Sequence, residues 1–206
     1  IWIAEDDDYC EQNFLAEMLP LFDDPEVSLA YCQSTAIDES GGVLFSYMDY
    51  YKHEFDDYQR WQNTYKNSGQ EEVVIGLGLI NTIPNASAVI FRRFDTQRWQ
   101  ENWIDSVLAG DWAFYLHALQ YGKVAYLPEH LNFHRRHEQT MTRKTQKAET
   151  RFKEVSQVHR DAIALYQVDD NTKARMREKV RLIWSEVKGS SSERKFNKAY
   201  DDIVDH

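Results

Sequence analysis

Four consecutive acids, Glu5-Asp6-Asp7-Asp8, follow directly on the apolar run Ile1-Trp2-Ile3-Ala4. Carboxylates at the end of a strand are aimed by a rigid element at little entropic cost. Packed side by side they repel one another, and a cation relieves that repulsion. Hard oxygen ligands select Mg²⁺ or Mn²⁺ over softer metals, and such ions keep waters and take up phosphate oxygens. A metal held between protein and diphosphate is one reading of the cluster. A solvated acidic turn that caps the next helix is the other.

Three further groups carry chemistry. Asp111 stands between Gly110 and Trp112, ahead of a stretch that is apolar nearly all round. Asp is among the best helix N-caps. Low-dielectric surroundings also raise a carboxyl pKa toward that of a useful general base, and one residue can serve both ends. His134-Arg135-Arg136-His137 is the densest cationic group of the first 140 residues. Arg135 and Arg136 offer planar forks that suit diphosphate oxygens, and a neutral imidazole suits a metal shell. The plainer reading is a solvated strand end. Asn85 and Ser87 can hydrogen-bond a sugar, or simply form the turn that follows Pro84. The tyrosine-rich stretch Tyr47–Tyr58 fits either an acceptor-side loop or a packed surface hairpin.

The elements that must position these groups follow from periodicity. Ile1–Ala4 reads as a buried strand. Asn13–Phe22 has helical spacing, and Asp23-Asp24-Pro25 ends it. Val27–Gln33 reads as a strand, and Asp38–Gly42 as a turn. One helix is expected around Asp56–Tyr65, and the state of Glu71–Ile80 is open. Ala88–Phe91 is β-type. Asp95 is expected to cap a helix carrying Trp99, Trp103 and Val107, and Asp111 to cap the next, closed by Gly122. Val124–Leu127 is a strand, with Leu131–His134 as its neighbour. Three amphipathic helices follow, marked by Phe152, Val155, Ala162, Ile163 and Tyr166, then Met176, Val180, Ile183, Trp184 and Val187, then Phe196, Ala199, Tyr200 and Ile203. The organisation expected is an α/β domain over residues 1–142 and a helical extension over 143–206.

Composition narrows the function. Apolar residues make up 42% and aromatics 14%, enough for a packed core. The net charge is −10, with 9 Lys and Arg against 23 Asp and Glu in residues 1–140, and 15 against 11 in 141–206. A phosphate backbone must be neutralised by Lys and Arg, so an acidic body argues against nucleic acid as the main partner. Cys10 and Cys32 suit a reduced, cytoplasmic chain, and no Cys/His spacing suggests zinc. The absence of an initiator Met and the start in mid-strand suggest that an upstream part has been removed.

Several blocks together resemble family-2 glycosyltransferases of the GT-A fold. Ile1–Asp8 is similar to the strand and D-x-D region of that family, with Glu5 in place of the first Asp. Residues 81–93, Asn81 to Arg93, resemble the segment that lines the acceptor side. Gly110–Leu116, then Gly122 and Val124–Leu127, resemble the helix that opens with the catalytic acid. Residues 134–142, His134 to Thr142, resemble the basic, His-containing stretch after it. The blocks fall in the family's order over about residues 1–142. The resemblance implies a GT-A-like mixed sheet flanked by helices, lacking its N-terminal, nucleotide-gripping portion.

It also implies an inverting transfer from a nucleotide-sugar to a glycan or other hydroxyl acceptor, in cell-surface polysaccharide synthesis. Asp111 would be the base. Asp7, with Glu5 and His137, would hold Mn²⁺ or Mg²⁺. Asp6, Asp8, Arg135 and Arg136 would face the donor diphosphate, and Asn85, Ser87 and Trp112 the acceptor. All of this requires the acids and Asp111 to open onto a shared cavity. The helical extension suits packing or homo-oligomerisation, with peripheral contact at the inner, anionic face of a membrane as the weaker choice. Two rival classes stay in view: a degenerate GT-A module that binds nucleotide-sugar or glycan without turnover, and a metal-dependent phosphohydrolase or nucleotidyltransferase. The latter needs a second carboxylate set, and none is well placed.

Overall fold

In a computed structural model, residues 1–137, 144–187 and 192–205 are described. The chain is mixed α/β, and its sheet is mixed in direction. Contacts divide it into two units. The first comprises Ile1–Gly69, Thr82–Phe94 and Ala118–Thr140; the second comprises Gln70–Asn81, Asp95–His117 and Met141–His206. The helical stretch expected as a separate extension is thus one segment of a unit that also takes in two pieces of the body.

The first unit holds the sheet. Its strands are β1 (Tyr9–Cys10), β2 (Val27–Ile37), β3 (Val43–Ser46), β4 (Tyr65–Ser68), β5 (Val89–Phe91) and β6 (Lys123–Arg135). β2 and β6 run parallel at the centre, and β1, β3, β4 and β5 join them antiparallel. Every residue of β2 is buried, as expected of a strand covered on both faces. The two strands read from Val124–Leu127 and Leu131–His134 are one strand. Cys32 pairs with Leu127 and Gln33 with His130, so Pro128 and Glu129 are passed over in an irregularity of the ladder. A bulge there tolerates the missing N–H of Pro128.

Ile1–Ala4 is not the buried strand its composition suggests. Trp2 makes a single bridge to Ile90, and Phe91 exchanges hydrogen bonds with Ile1. Alternation turns Trp2 inward, with its ring 5.0 Å from Phe14, and leaves Ile1 and Ile3 each 56% exposed. α1 (Phe14–Met18) continues as a 3₁₀ turn, Leu19–Asp23, close to the expected span. The helix expected at Asp56–Tyr65 lies earlier, as α2 (Tyr47–Glu54). Ser46 caps it by accepting from the Met48 N–H, and Tyr47 and Tyr51 share its buried face. Residues 58–62 form only a 3₁₀ turn. In the turn after β2, Gly41 takes φ +89, a conformation that favours glycine.

The second unit is helical. The ambiguous stretch forms α3 (Gly69–Glu72, of which Gly69 belongs to the first unit) and a π-helical turn, Val73–Leu77. Beyond it lie α4 (Gln97–Trp103), α5 (Gly110–Ala118, its last residue in the first unit), α6 (Lys144–Leu165), α7 (Asp170–Ser185) and α8 (Glu193–Val204). Thr96, not Asp95, occupies the N-cap of α4, and Asp95 accepts from the Gln97 N–H. α4 stops at Trp103, so Val107 lies beyond it and is exposed. Gly78 permits a close approach, since a Cβ there would sit 2.5 Å from the Val73 carbonyl and 3.0 Å from Met176. Phe152, Val158, Met176, Val180, Phe196 and Tyr200 are buried along α6, α7 and α8. Among the described residues no helix is long and apolar enough to cross a membrane, and both cysteines are free.

Candidate functional site

In the first unit, strand register brings the acidic loop to the basic stretch. β1 pairs with β6 through Tyr9–Phe133 and Cys10–Asn132, antiparallel. The residues just before β1 therefore lie beside those just after Phe133. β2 pairs with β6 through Ile37–Arg135, parallel, which adds the Asp38 turn to the same place.

Arg135 ties these segments together. Its N–H donates to Asp8 Oδ1 (2.8 Å), its Nε to the Asp7 carbonyl (2.8 Å), and one terminal nitrogen to the Asp38 and Glu39 carbonyls (2.8 and 3.0 Å). Asp8 Oδ2 accepts from Asn85 Nδ2 at 2.9 Å, and the same amide reaches Asn132 Oδ1 at 2.7 Å. Ser87 Oγ accepts from the Glu5 N–H (2.9 Å), and the Ser87 carbonyl accepts from the Trp2 indole. Asn85 and Ser87 are buried and act as braces of the acidic loop. Glu5, Asp6 and Arg136 are exposed.

Asp7 and His137 form a pair. His137 Nε2 lies 2.8 Å from Asp7 Oδ2, and Nδ1 lies 3.3 Å from Glu39 Oε1. The hydrogen bond from His137 holds the Asp7 carboxyl below its usual range, against some desolvation. The bonds to Asp7 and then to Glu39 raise the imidazole. His134 differs. It lies 2.6 Å from the Tyr47 hydroxyl, and burial lowers its pKa. Among the described residues no group of three or more His, Cys, Asp or Glu is arranged to hold a metal. Both ring nitrogens of His137 face carboxylates, so Asp7 and His137 stand here as a hydrogen-bonded pair.

Asp111 and Trp112 belong to the second unit. Asp111 is the second residue of α5 rather than its cap. Its Oδ1 accepts from the Trp112 N–H (2.7 Å) and its Oδ2 from Asn81 Nδ2 (3.3 Å). Burial pushes its carboxyl up to about 6, more than the hydrogen bonds lower it. The Trp112 indole is buried and donates to the Leu77 carbonyl at 2.6 Å. A carboxyl raised to about 6 can exchange a proton near neutral pH.

Residues not singled out from sequence complete both places. Asp38, Glu39 and Asn132 depend on strand register, which no local pattern reveals. Asn81 opened a recognised block but carried no signal of its own. Glu154 is buried on α6, and its acidic side chain within the amphipathic pattern was the available sign. Comparison with models of known protein families gives no match, and comparison with curated proteins gives none either.

Proposed function

We propose that this chain carries the catalytic groups of an inverting, metal-dependent glycosyltransferase of the family-2, GT-A type. The observation that carries the reading is Asp111: a carboxyl lifted to about 6 by burial, yet held by Asn81 and a backbone N–H. A base poised near neutral pH suits a neutral hydroxyl acceptor. Asp111 takes the proton of that hydroxyl as its oxygen bonds to the anomeric carbon. The bond from that carbon to the diphosphate oxygen breaks on the opposite face, and the configuration inverts. Asp7 and His137 would hold Mn²⁺ or Mg²⁺, which supplies charge neutralisation on the departing diphosphate. Asn85, Ser87 and Arg135 keep the acidic loop in place.

The test is Asp111→Asn. In the presence of Mn²⁺ and a panel of nucleotide-sugars, donor binding by calorimetry should be retained while nucleotide release falls about 100-fold or more. Full release by D111N removes Asp111 as the base. A second reading, a nucleotide-sugar or glycan binding module without turnover, is favoured by Arg135, whose guanidinium is engaged by three carbonyls. Donor binding by the wild-type protein with no release for any acceptor would select it.

A further inference from the structure

Glu154 lies on α6 and is buried, 6% exposed. Its carboxylate accepts three successive backbone N–H groups: Val107 at Oε1 (2.9 Å), and Leu108 and Ala109 at Oε2 (2.8 Å each). A buried carboxylate is costly to desolvate, and three charge-assisted hydrogen bonds offset that cost. The side chains of Val107 and Leu108 are exposed, 71% and 36%, while their N–H groups face the buried carboxylate. A segment without regular structure is thus fixed through its backbone. It leads straight into α5, because the Ala109 carbonyl accepts from the Ala113 N–H in the first turn. Asp111 is two residues further on. Burial is the main cause of its raised carboxyl, and the negative charge of Glu154 acts in the same direction.

We infer that Glu154 is a positioning residue for Asp111: it fixes the backbone segment that launches α5 and so sets where the base stands. The inference rests on the reading of Asp111 as a general base. It gives the C-terminal helices a part in the chemistry, although Glu154 acts only through the segment it holds.

Two measurements test it. In the wild-type protein, amide hydrogen exchange by NMR should find the N–H groups of Val107, Leu108 and Ala109 strongly protected, despite the exposed side chains. Exchange at open-loop rates overturns the inference whatever the activity. Glu154→Gln removes the charge and one acceptor oxygen. In E154Q, kcat for nucleotide release should fall about 10- to 100-fold with the donor KM unchanged. The acid limb of kcat/KM, and the Asp111 carboxyl followed by ¹³C NMR, should both move to lower pH. An unchanged Asp111 titration with unchanged kcat overturns the inference. Strong protection of the three N–H groups in a protein that never releases nucleotide supports the backbone-fixing role and removes the transferase reading instead. Should E154Q not fold, the exchange measurement decides alone.

Discussion

At Asp8 both carboxylate oxygens are engaged, Oδ1 by the Arg135 N–H and Oδ2 by Asn85, whereas Asp7 meets the His137 imidazole at a partly exposed position. The two neighbours should therefore respond differently to substitution. Asp8→Asn should lower unfolding stability by about 1–3 kcal/mol, because one oxygen becomes a donor facing a donor. Asp7→Ala should leave stability nearly unchanged and abolish Mn²⁺-dependent donor binding. Thermal denaturation and calorimetry on both variants check the contrast; Mn²⁺-dependent binding that survives in D7A would count against the metal role. The residue types of this loop were legible from sequence, as was the low-dielectric setting of Asp111. The division of labour inside Glu5–Asp8 was not, because it depends on partners far along the chain. Asn85 and Ser87 show the same limit: a hydrogen-bonding residue after a proline looks alike whether it faces a sugar or a neighbouring loop.

At the scale of elements, local pattern located most helices but only β2, β5 and β6 among the strands, because β1, β3 and β4 are two to four residues long, and register decided what the elements met. The 3.6-residue spacing of the C-terminal helices was clear because each has a broad apolar face. Tyr47–Glu54 was obscure because its apolar positions are tyrosines among acids, and Ser46 is one of many polar residues there. The unity of β6 was hidden by Pro128, which ordinarily argues against a central strand. In the second unit, His159 on α6 is buried, with Nε2 3.3 Å from the Leu79 carbonyl and Nδ1 3.1 Å from the Tyr200 hydroxyl. The carbonyl can only accept, so Nε2 carries the proton and Nδ1 accepts from Tyr200. Burial lowers this histidine from 6.5 to about 4. The unfolded chain then binds the proton first as pH falls. Its stabilising contribution is present above 6.5, is lost as pH falls toward 4, and amounts at most to about 3 kcal/mol. Asp111, raised from 3.8 to about 6, acts with the opposite sign over much of that window. Comparison with His159→Gln isolates the histidine, since Gln can keep both hydrogen bonds without titrating. Urea unfolding at pH 7 and pH 5 should show wild type losing more stability than H159Q. Equal losses would contradict the assignment.

For the molecule as a whole, the sequence order of the groups says little about which unit holds them. The first unit carries the acidic loop and the basic strand end; the second carries Asp111, Asn81 and Glu154. A change of texture near residue 142 could be read from sequence, but the grouping of 70–81 and 95–117 with the last helices could not. Those segments are apolar enough for either core, and only long-range contacts such as Trp103 with Asp161 (2.7 Å) assign them. The α/β class was legible because strand-like and helical patterns alternate over the first 142 residues. The transferase reading depends most on the base, and its most direct measurement is the pH dependence of kcat/KM for nucleotide release. The account predicts an acid limb with its midpoint near 6 in the wild type, matching the raised Asp111 carboxyl, and loss of the limb together with most activity in D111N. A rate that stays level from pH 7 down to pH 5, or a D111N variant with wild-type turnover, would contradict it.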